Sequence, residues 1–351
     1  MLELIKETTP VETRFLALDD QERPVSLHIF RPRSIDARVK WGEVHPCILT
    51  RIDYAQSAAF VAFASGETGY FNLQKGRKPP PEGAKLNVEI VSESWAEKSA
   101  RVKPSEHPVS LLTPNDAFET WCSSLGQADV RLSERPFAEQ CAIIDFALEE
   151  VLSETITVRG GGAIHLEQTR AFLSVDVDSN GRDLKKAGGS INADALDELA
   201  RQIVLRRTGG LIVVDLVGAP KGQKADALRA KFQSALQSSV RSGNEVLPIS
   251  RLGLLEVSLR RRYRPLSDLF CAERQQDTIR ERLITCFVDL TRRAHLCRTD
   301  VFEIWLGGLL YETFRALDID VISTLSETYG SRFSVEKRSE LNAETYKIIT
   351  K

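Results

Sequence analysis

A chain of 351 residues with 42% hydrophobic and 27% charged residues is long enough for two or three domains with packed cores. Its formal net charge of −2 and pI near 6.3 exclude a globally basic nucleic-acid binder. Any polyanion site must come from local clusters of Lys and Arg.

The first ten residues carry Glu3, Lys6 and Glu7, unlike a secretory signal. No apolar run nears the roughly 20 residues of a membrane helix. The expectation is a cytoplasmic protein without membrane contact. Residues 1–36 alternate apolar and polar, predicting strands over 14–18 and 25–30. Residues 37–104 continue as short strands over 44–51, 59–63, 69–73 and 85–92, the pattern of a small closed β-barrel. Residues 105–135, with several prolines and no period, predict a linker with one helical turn. A helix follows over 135–153, with Ile143, Ala147 and Val151 at four-residue steps. A hairpin then turns at Gly160, Gly161 and Gly162. Next comes an α/β block: a strand over 171–175, a helix over 192–206, an apolar strand over 211–214 expected to be buried on both faces, a helix over 225–241 and a strand over 245–249. That alternation predicts a largely parallel sheet. The tail from Asp268 predicts helix 277–294, strand 299–306, helix 309–317 and strand 321–325, a small α/β domain.

Two acids end the two most buried-looking strands, Asp176 after Val175 and Asp215 after Val214. At the carboxyl ends of adjacent strands they face one crevice, and their repulsion favours a cation between them. Mg²⁺ suits such a site, because it takes one or two carboxylates and keeps several waters. Asp178 adds a third oxygen two residues on. The same pattern equally suits aspartates that only cap loops. Lys185, Lys186, Arg206, Arg207, Lys221, Lys224 and the run Arg260–Arg261–Arg262–Tyr263–Arg264 predict a basic rim beside this acidic site, a combination that fits a phosphodiester. Gly218 to Lys224 lacks the Walker ending, which excludes nucleotide hydrolysis. On the barrel, Phe60, Phe63, Tyr70 and Phe71 are candidates for stacking on bases, with half of them expected to point inward. Trp41 and Trp95 are expected in the barrel core or at its edge. The six cysteines (Cys47, Cys122, Cys141, Cys271, Cys286, Cys297) form no CxxC pair and predict reduced, packed thiols.

Several ordered segments resemble the ribonuclease E/G family. They are Ile48–Ile52, Ala58–Val61 and Gly69–Tyr70 in the barrel, then Gly161–Thr169, Val175–Ser179, Asn192, Glu198–Ile203, Gly209–Asp215 and Ile249–Glu256. The resemblance implies an α/β multidomain fold: an RNase H-like scaffold (1–36 with 136–167), an inserted S1/OB-type barrel (37–104), a reduced linker (105–135), a DNase I-like catalytic domain (168–267) and a small C-terminal α/β domain (268–351). It implies Mg²⁺-dependent (or Mn²⁺-dependent) endonucleolysis of single-stranded, AU-rich RNA, as in RNA and rRNA processing. Asp176 and Asp215 fall on its metal ligands, and Phe60, Tyr70 and Lys98 on its RNA-gripping barrel positions.

Three departures qualify it. Asp178 stands where Asn is usual. Residues 105–135 are too short for the family's sensor of 5′-monophosphate ends, so cleavage is expected to ignore the 5′ end. The zinc-linking cysteine pair is missing, leaving Cys271 alone, so no zinc and a monomer or a non-zinc-linked homodimer are expected. The alternatives are a catalytically silent RNA-binding or rRNA-maturation factor and a phosphodiesterase acting on another substrate.

Overall fold

A computed structural model describes residues 1–351 apart from 77, 96–97, 127–128, 180–190, 240–243 and 271–274. Lys185, Lys186 and Cys271 therefore lie outside the described residues. The first sheet begins with β1 (Leu2–Thr8), β2 (Thr13–Leu18) and β3 (Pro24–Phe30), one strand more than the two expected. Every residue of β2 is buried because its two faces enter different cores. Phe15 and Ala17 join one cluster, Leu16 and Leu18 another.

The barrel is closed, in the order β4 (Val44–Asp53), β5 (Ala58–Ala62), β6 (Thr68–Asn72), β8 (Ala100–Ser105), β7 (Lys85–Ser92). Its centre is filled by Leu49, Val61, Val88 and Ile90, all with essentially no exposure. The predicted barrel is thus present, with β8 as a fifth strand beyond the four expected.

Beyond the barrel, 105–135 is more than a linker. Helix α1 (Pro114–Ser124) is started by a capping box between Thr113 and Asp116 with Pro at its first position. Its Ala117 and Trp121 pack on Phe15 and Phe30. Strand β9 (Val130–Leu132) then pairs in parallel with β1, completing the sheet in the order β3-β2-β1-β9. Helix α2 (Phe137–Leu152) sets Ile144, Ala147 and Val151 against the other face, with Leu16 and Leu18.

The six-stranded sheet departs from the predicted parallel arrangement. Its order is β10 (Thr155–Thr157), β11 (Ala163–Gln168), β12 (Leu173–Asp178), β13 (Gly210–Asp215), β15 (Leu254–Leu259), β14 (Glu245–Val246). Only β12 and β13 run parallel, bridged by α3 (Ile191–Leu205). The hairpin β10–β11, expected in the scaffold, hydrogen-bonds in antiparallel register to β12, and β15 returns antiparallel beside β13. Only one crossover is therefore needed. One face packs on α3 and α4 (Gln223–Ser239), where Val175, Val177, Ile212, Val214, Leu199 and Phe232 form a single core. The other face is open. Leu211 is 56% exposed, which corrects the expectation that the strand over 211–214 is buried on both sides.

The tail contains α5 (Ser267–Phe270), α6 (Gln275–Leu296), β16 (Phe302–Leu306), α7 (Gly308–Arg315), α8 (Val321–Tyr329), β17 (Phe333–Lys337) and β18 (Tyr346–Thr350). Residues 321–325, expected as a strand, open α8 instead. Asp320 caps it by accepting from the Ser323 N–H, and Val321 and Leu325 lie one turn apart on its buried side. The three-stranded sheet β17-β16-β18 covers α6. Ion pairs, buried at Arg31, Glu12 and Glu7 but half-exposed at Asp145 of α2, join this unit to the first sheet and α2. Arg31 donates to Glu12 and to Glu281, and Arg292 donates to Glu7 and Asp145. Burial opposes ionisation of Glu12, but Arg14 and Arg31 outweigh it and hold its pKa below the usual carboxylate range. Severing one partner of such a pair typically costs about 3–5 kcal/mol.

Candidate functional site

The open face of the six-stranded sheet places Asp176 directly beside Asp215 as registered partners on parallel strands. Neighbouring strands lie about 4.8 Å apart, so the two carboxylates leave the sheet side by side. Both are exposed, while the residues that alternate with them, Val175, Val177 and Val214, are buried against the helices. Neither aspartate side chain has a hydrogen bond or an ion pair among the described residues. Two adjacent, uncompensated carboxylates form a donor set for a hard cation, with room for waters on the open side. Asp178, two residues along β12, projects from the same face opposite Ala163. No group of three or more His, Cys, Asp or Glu among the described residues is disposed to hold a metal ion. The geometry therefore brings two of the three predicted ligands together.

The register also brings in a residue that spacing does not single out. Thr155, His165, Asp176 and Asp215 form one row across β10, β11, β12 and β13. Thr155 Oγ1 lies 3.0 Å from His165 Nδ1, so Nε2 is the ring nitrogen without a hydrogen bond among the described residues. Alternation along β11 puts Ala163 and His165 on that face, opposite Asp178 and Asp176 respectively. The signal in the sequence is the polar His165 between the buried Ile164 and Leu166. Its partner strand becomes evident only from the fold.

Two close backbone approaches hold the ends of these strands. Gly162 has φ +94°, and a Cβ there would sit 2.7 Å from the Asp178 carbonyl oxygen and 2.5 Å from Ile191 Cδ1. Only glycine fits this turn. Beyond Asp215, the buried Asn192 side chain clamps Val217 twice. It donates to the Val217 carbonyl at 2.9 Å and accepts the Val217 N–H at 3.0 Å. This clamp fixes the loop that follows Asp215 to the start of α3.

The predicted basic rim is only partly realised. Lys221 and Lys224 follow Asp215 at the carboxyl end of β13. Arg206 instead turns back to the carbonyls of Glu150 and Ser153. Arg264 is buried beside Asp36, Glu67 and Asp268. Arg207 and Arg260 to Arg262 lie at the opposite end of the strands, because α3 carries the chain back before β13 begins and β15 runs antiparallel to it.

On the barrel, Phe63 and Phe71 point into the core, at 6% and 7% exposure, whereas Phe60 and Tyr70 face outward and are half-buried. Phe60 and Tyr70 are cross-strand partners with ring centroids 6.4 Å apart. Register extends the row to Arg51 on one side and Arg101 on the other. The Arg51 guanidinium lies 4.4 Å from the Phe60 ring centroid. This row of two rings between two cations is not legible from spacing alone. Lys98 stands apart from it, over Trp95 at 5.3 Å, with Arg261 on the same ring. Burial and then the Arg261 charge lower the Lys98 pKa. Trp41 and Trp95 sit at the barrel edge, where Arg262 and Arg261 cover them.

No helix among the described residues is long and apolar enough to cross a membrane. The five described cysteines are free thiols, and burial pushes Cys47 up to about 11 and Cys141 up to about 12.

Residues 114–262 match the sequence profile of the Ribonuclease E/G family. Ribonuclease E of Escherichia coli (strain K12) is 31% identical over 122 residues, covering 34% of this chain and 11% of that protein. Ribonuclease G of the same organism is 21% identical over 217 residues, covering 59% of this chain and 44% of that protein. The Ribonuclease E/G-like chloroplastic protein of Arabidopsis thaliana is 33% identical over 128 residues, covering 35% of this chain and 13% of that protein. The matched segment is thus less than half the length of each of these relatives.

Proposed function

The chain belongs to the ribonuclease E/G family, and on that premise we propose that it is a divalent-metal-dependent endoribonuclease acting on single-stranded, AU-rich RNA. The observation that carries this reading is the registered, unpaired pair Asp176 and Asp215 on an open sheet face. In this reading the two carboxylates hold Mg²⁺ or Mn²⁺, with Asp178 as a further oxygen nearby. A bound ion of this kind supplies positive charge to the scissile phosphate and acidifies a water. His165 hydrogen-bonds a phosphate oxygen from the adjacent position in the row. Asn192 keeps the loop after Asp215 in place. Phe60 and Tyr70 stack on bases while Arg51, Arg101 and Lys98 meet the backbone phosphates.

The first sheet serves as an RNase H-like scaffold, the barrel as an S1-type module and the six-stranded sheet as a DNase I-like catalytic layer. With 105–135 taken up by α1 and β9, cleavage proceeds without regard to the 5′ end. The test is incubation of a short AU-rich RNA with Mg²⁺ or with EDTA, using wild type, Asp176→Asn and Asp215→Asn. Metal-dependent cutting that falls by about a hundredfold or more in both variants supports the proposal, given the several kcal/mol a catalytic ion supplies. Binding without cutting by the wild type would assign the chain to RNA-binding or rRNA maturation instead. Equal rates on 5′-phosphorylated and 5′-hydroxyl RNA are expected.

A further inference from the structure

At the amino end of β13, a cavity of about 800 Å³ opens between β3, α1, α3 and the segment 260–263. Its size suits a small ligand. It runs along α3 from Asp194 to Thr208, and its Arg207 end lies at the far end of β13 from Asp215, about 20 Å away for six extended residues.

Arg207 lines this cavity in an unusual state. Helix α3 ends in a Schellman motif: the Thr208 N–H donates to the Ile203 carbonyl and the Arg207 N–H to the Val204 carbonyl. The left-handed position of that motif usually belongs to glycine, yet Arg207 occupies it with φ 59°. Its Nε is shut away from solvent and hydrogen-bonds nothing among the described residues. Its guanidinium stacks on Tyr263 at 4.2 Å. Glu93, the acid whose charge bears on it, uses its oxygens on the N–H groups of Trp41 and Arg264. Three acids on the cavity wall are engaged as well: Glu198 with Arg201, Asp197 with Lys231, and Asp194 with a contact of its own. Burial, then the Arg207 charge, drives the pKa of the adjacent His28 well below its usual value, so it stays neutral.

A strained backbone and an enclosed cation with no ion pair among the described residues both oppose stability. Together, beside a ligand-sized cavity, they mark a position kept for what it binds. We propose that this cavity is a binding site for a small phosphate, free or as a monoester, with Arg207 as its anion-binding group and Tyr263 beside it. A guanidinium fork suits phosphate oxygens.

The test titrates the full chain with AMP, adenosine and inorganic phosphate, by calorimetry, for wild type, Arg207→Gly and Arg260→Gln. The result expected is binding of AMP or phosphate but not adenosine, weakened about tenfold or more in Arg207→Gly, as loss of a hydrogen bond to a charged group implies. That variant is also expected to melt no lower than wild type, because glycine relieves the left-handed strain and removes the enclosed charge. Arg260→Gln weakens binding less. AMP binding without phosphate binding identifies a nucleotide as the source, and the reverse identifies the free anion. Absence of binding to the wild type, undiminished affinity in Arg207→Gly, or a clear drop in its melting temperature would overturn the proposal. Affinity for AMP unchanged in Asp176→Asn separates this cavity from the acid pair.

Discussion

The two ends of β13 carry unpaired charge in opposite settings. At the carboxyl end, Asp215 stands beside Asp176 on an exposed face, where water screens their repulsion. At the amino end, Arg207 is enclosed, stacked on Tyr263 and strained in its backbone. An exposed acid pair costs the fold little and stays ready for a cation. An enclosed cation costs the fold more, so its retention says more about binding. The contrast can be broken by the sharpest expected effect. Asp215→Asn should abolish metal-dependent RNA cleavage with little change in melting temperature. Arg207→Gly should keep cleavage within about twofold of wild type, as for distant sites without shared partners. Loss of cleavage in Arg207→Gly, measured on the same AU-rich RNA, would show that the two ends act as one site.

The barrel offers the next largest effect. Phe60→Ala and Tyr70→Ala should each weaken binding of single-stranded RNA roughly 5- to 150-fold, from about 1–3 kcal/mol per stacked base. Phe71→Ala removes a core ring and should lower stability instead, which separates the outward rings from the inward ones. Fluorescence anisotropy for binding and urea unfolding for stability distinguish the two classes.

Much of this is legible in the sequence, and the losses have physical causes. Period-2 alternation discloses β4 to β7, but β8, with Arg101, Lys103 and Pro104 among its residues, lacks the apolar run that announces a strand. Residues 321–325 could serve either a short strand or a helix, and the Asp320 cap decides it. Strand direction in the six-stranded sheet depends on pairing between distant segments, which alternation cannot report. For the same reason Asp176 and Asp215 are visible as strand ends, while the row joining them to His165 is not. Arg207 reads as part of a rim around the acids because it is close in sequence to β13. Its place at the other end of the strand follows from where α3 stops.

The Asn192 clamp tests whether the acid pair depends on its loop. Asn192→Ala leaves the Val217 N–H and carbonyl without their partner and should cost about 1–3 kcal/mol of stability. Cleavage should fall mainly in kcat, with KM nearly unchanged, because the variant displaces the loop after Asp215 and not the barrel. Asn192→Asp keeps the acceptor for the Val217 N–H but loses the donor, so its loss should be intermediate.

The smallest effect belongs to the scaffold. Hydrogen bonds from Arg135 and Ser133 hold the Glu3 carboxyl down to about 2, from an ordinary 4.5. The folded value lies below the unfolded one, so the stabilisation is fully present above about pH 4.5 and is lost as pH falls toward 2. Glu3→Gln should therefore be less stable than wild type at pH 7, by about 1 kcal/mol or less, and the gap should close between pH 4.5 and 2. Urea midpoints of the two proteins across that range measure it. A gap that persists at pH 2 would trace the difference to packing of the side chain against Ser133 and Arg135 and not to its charge.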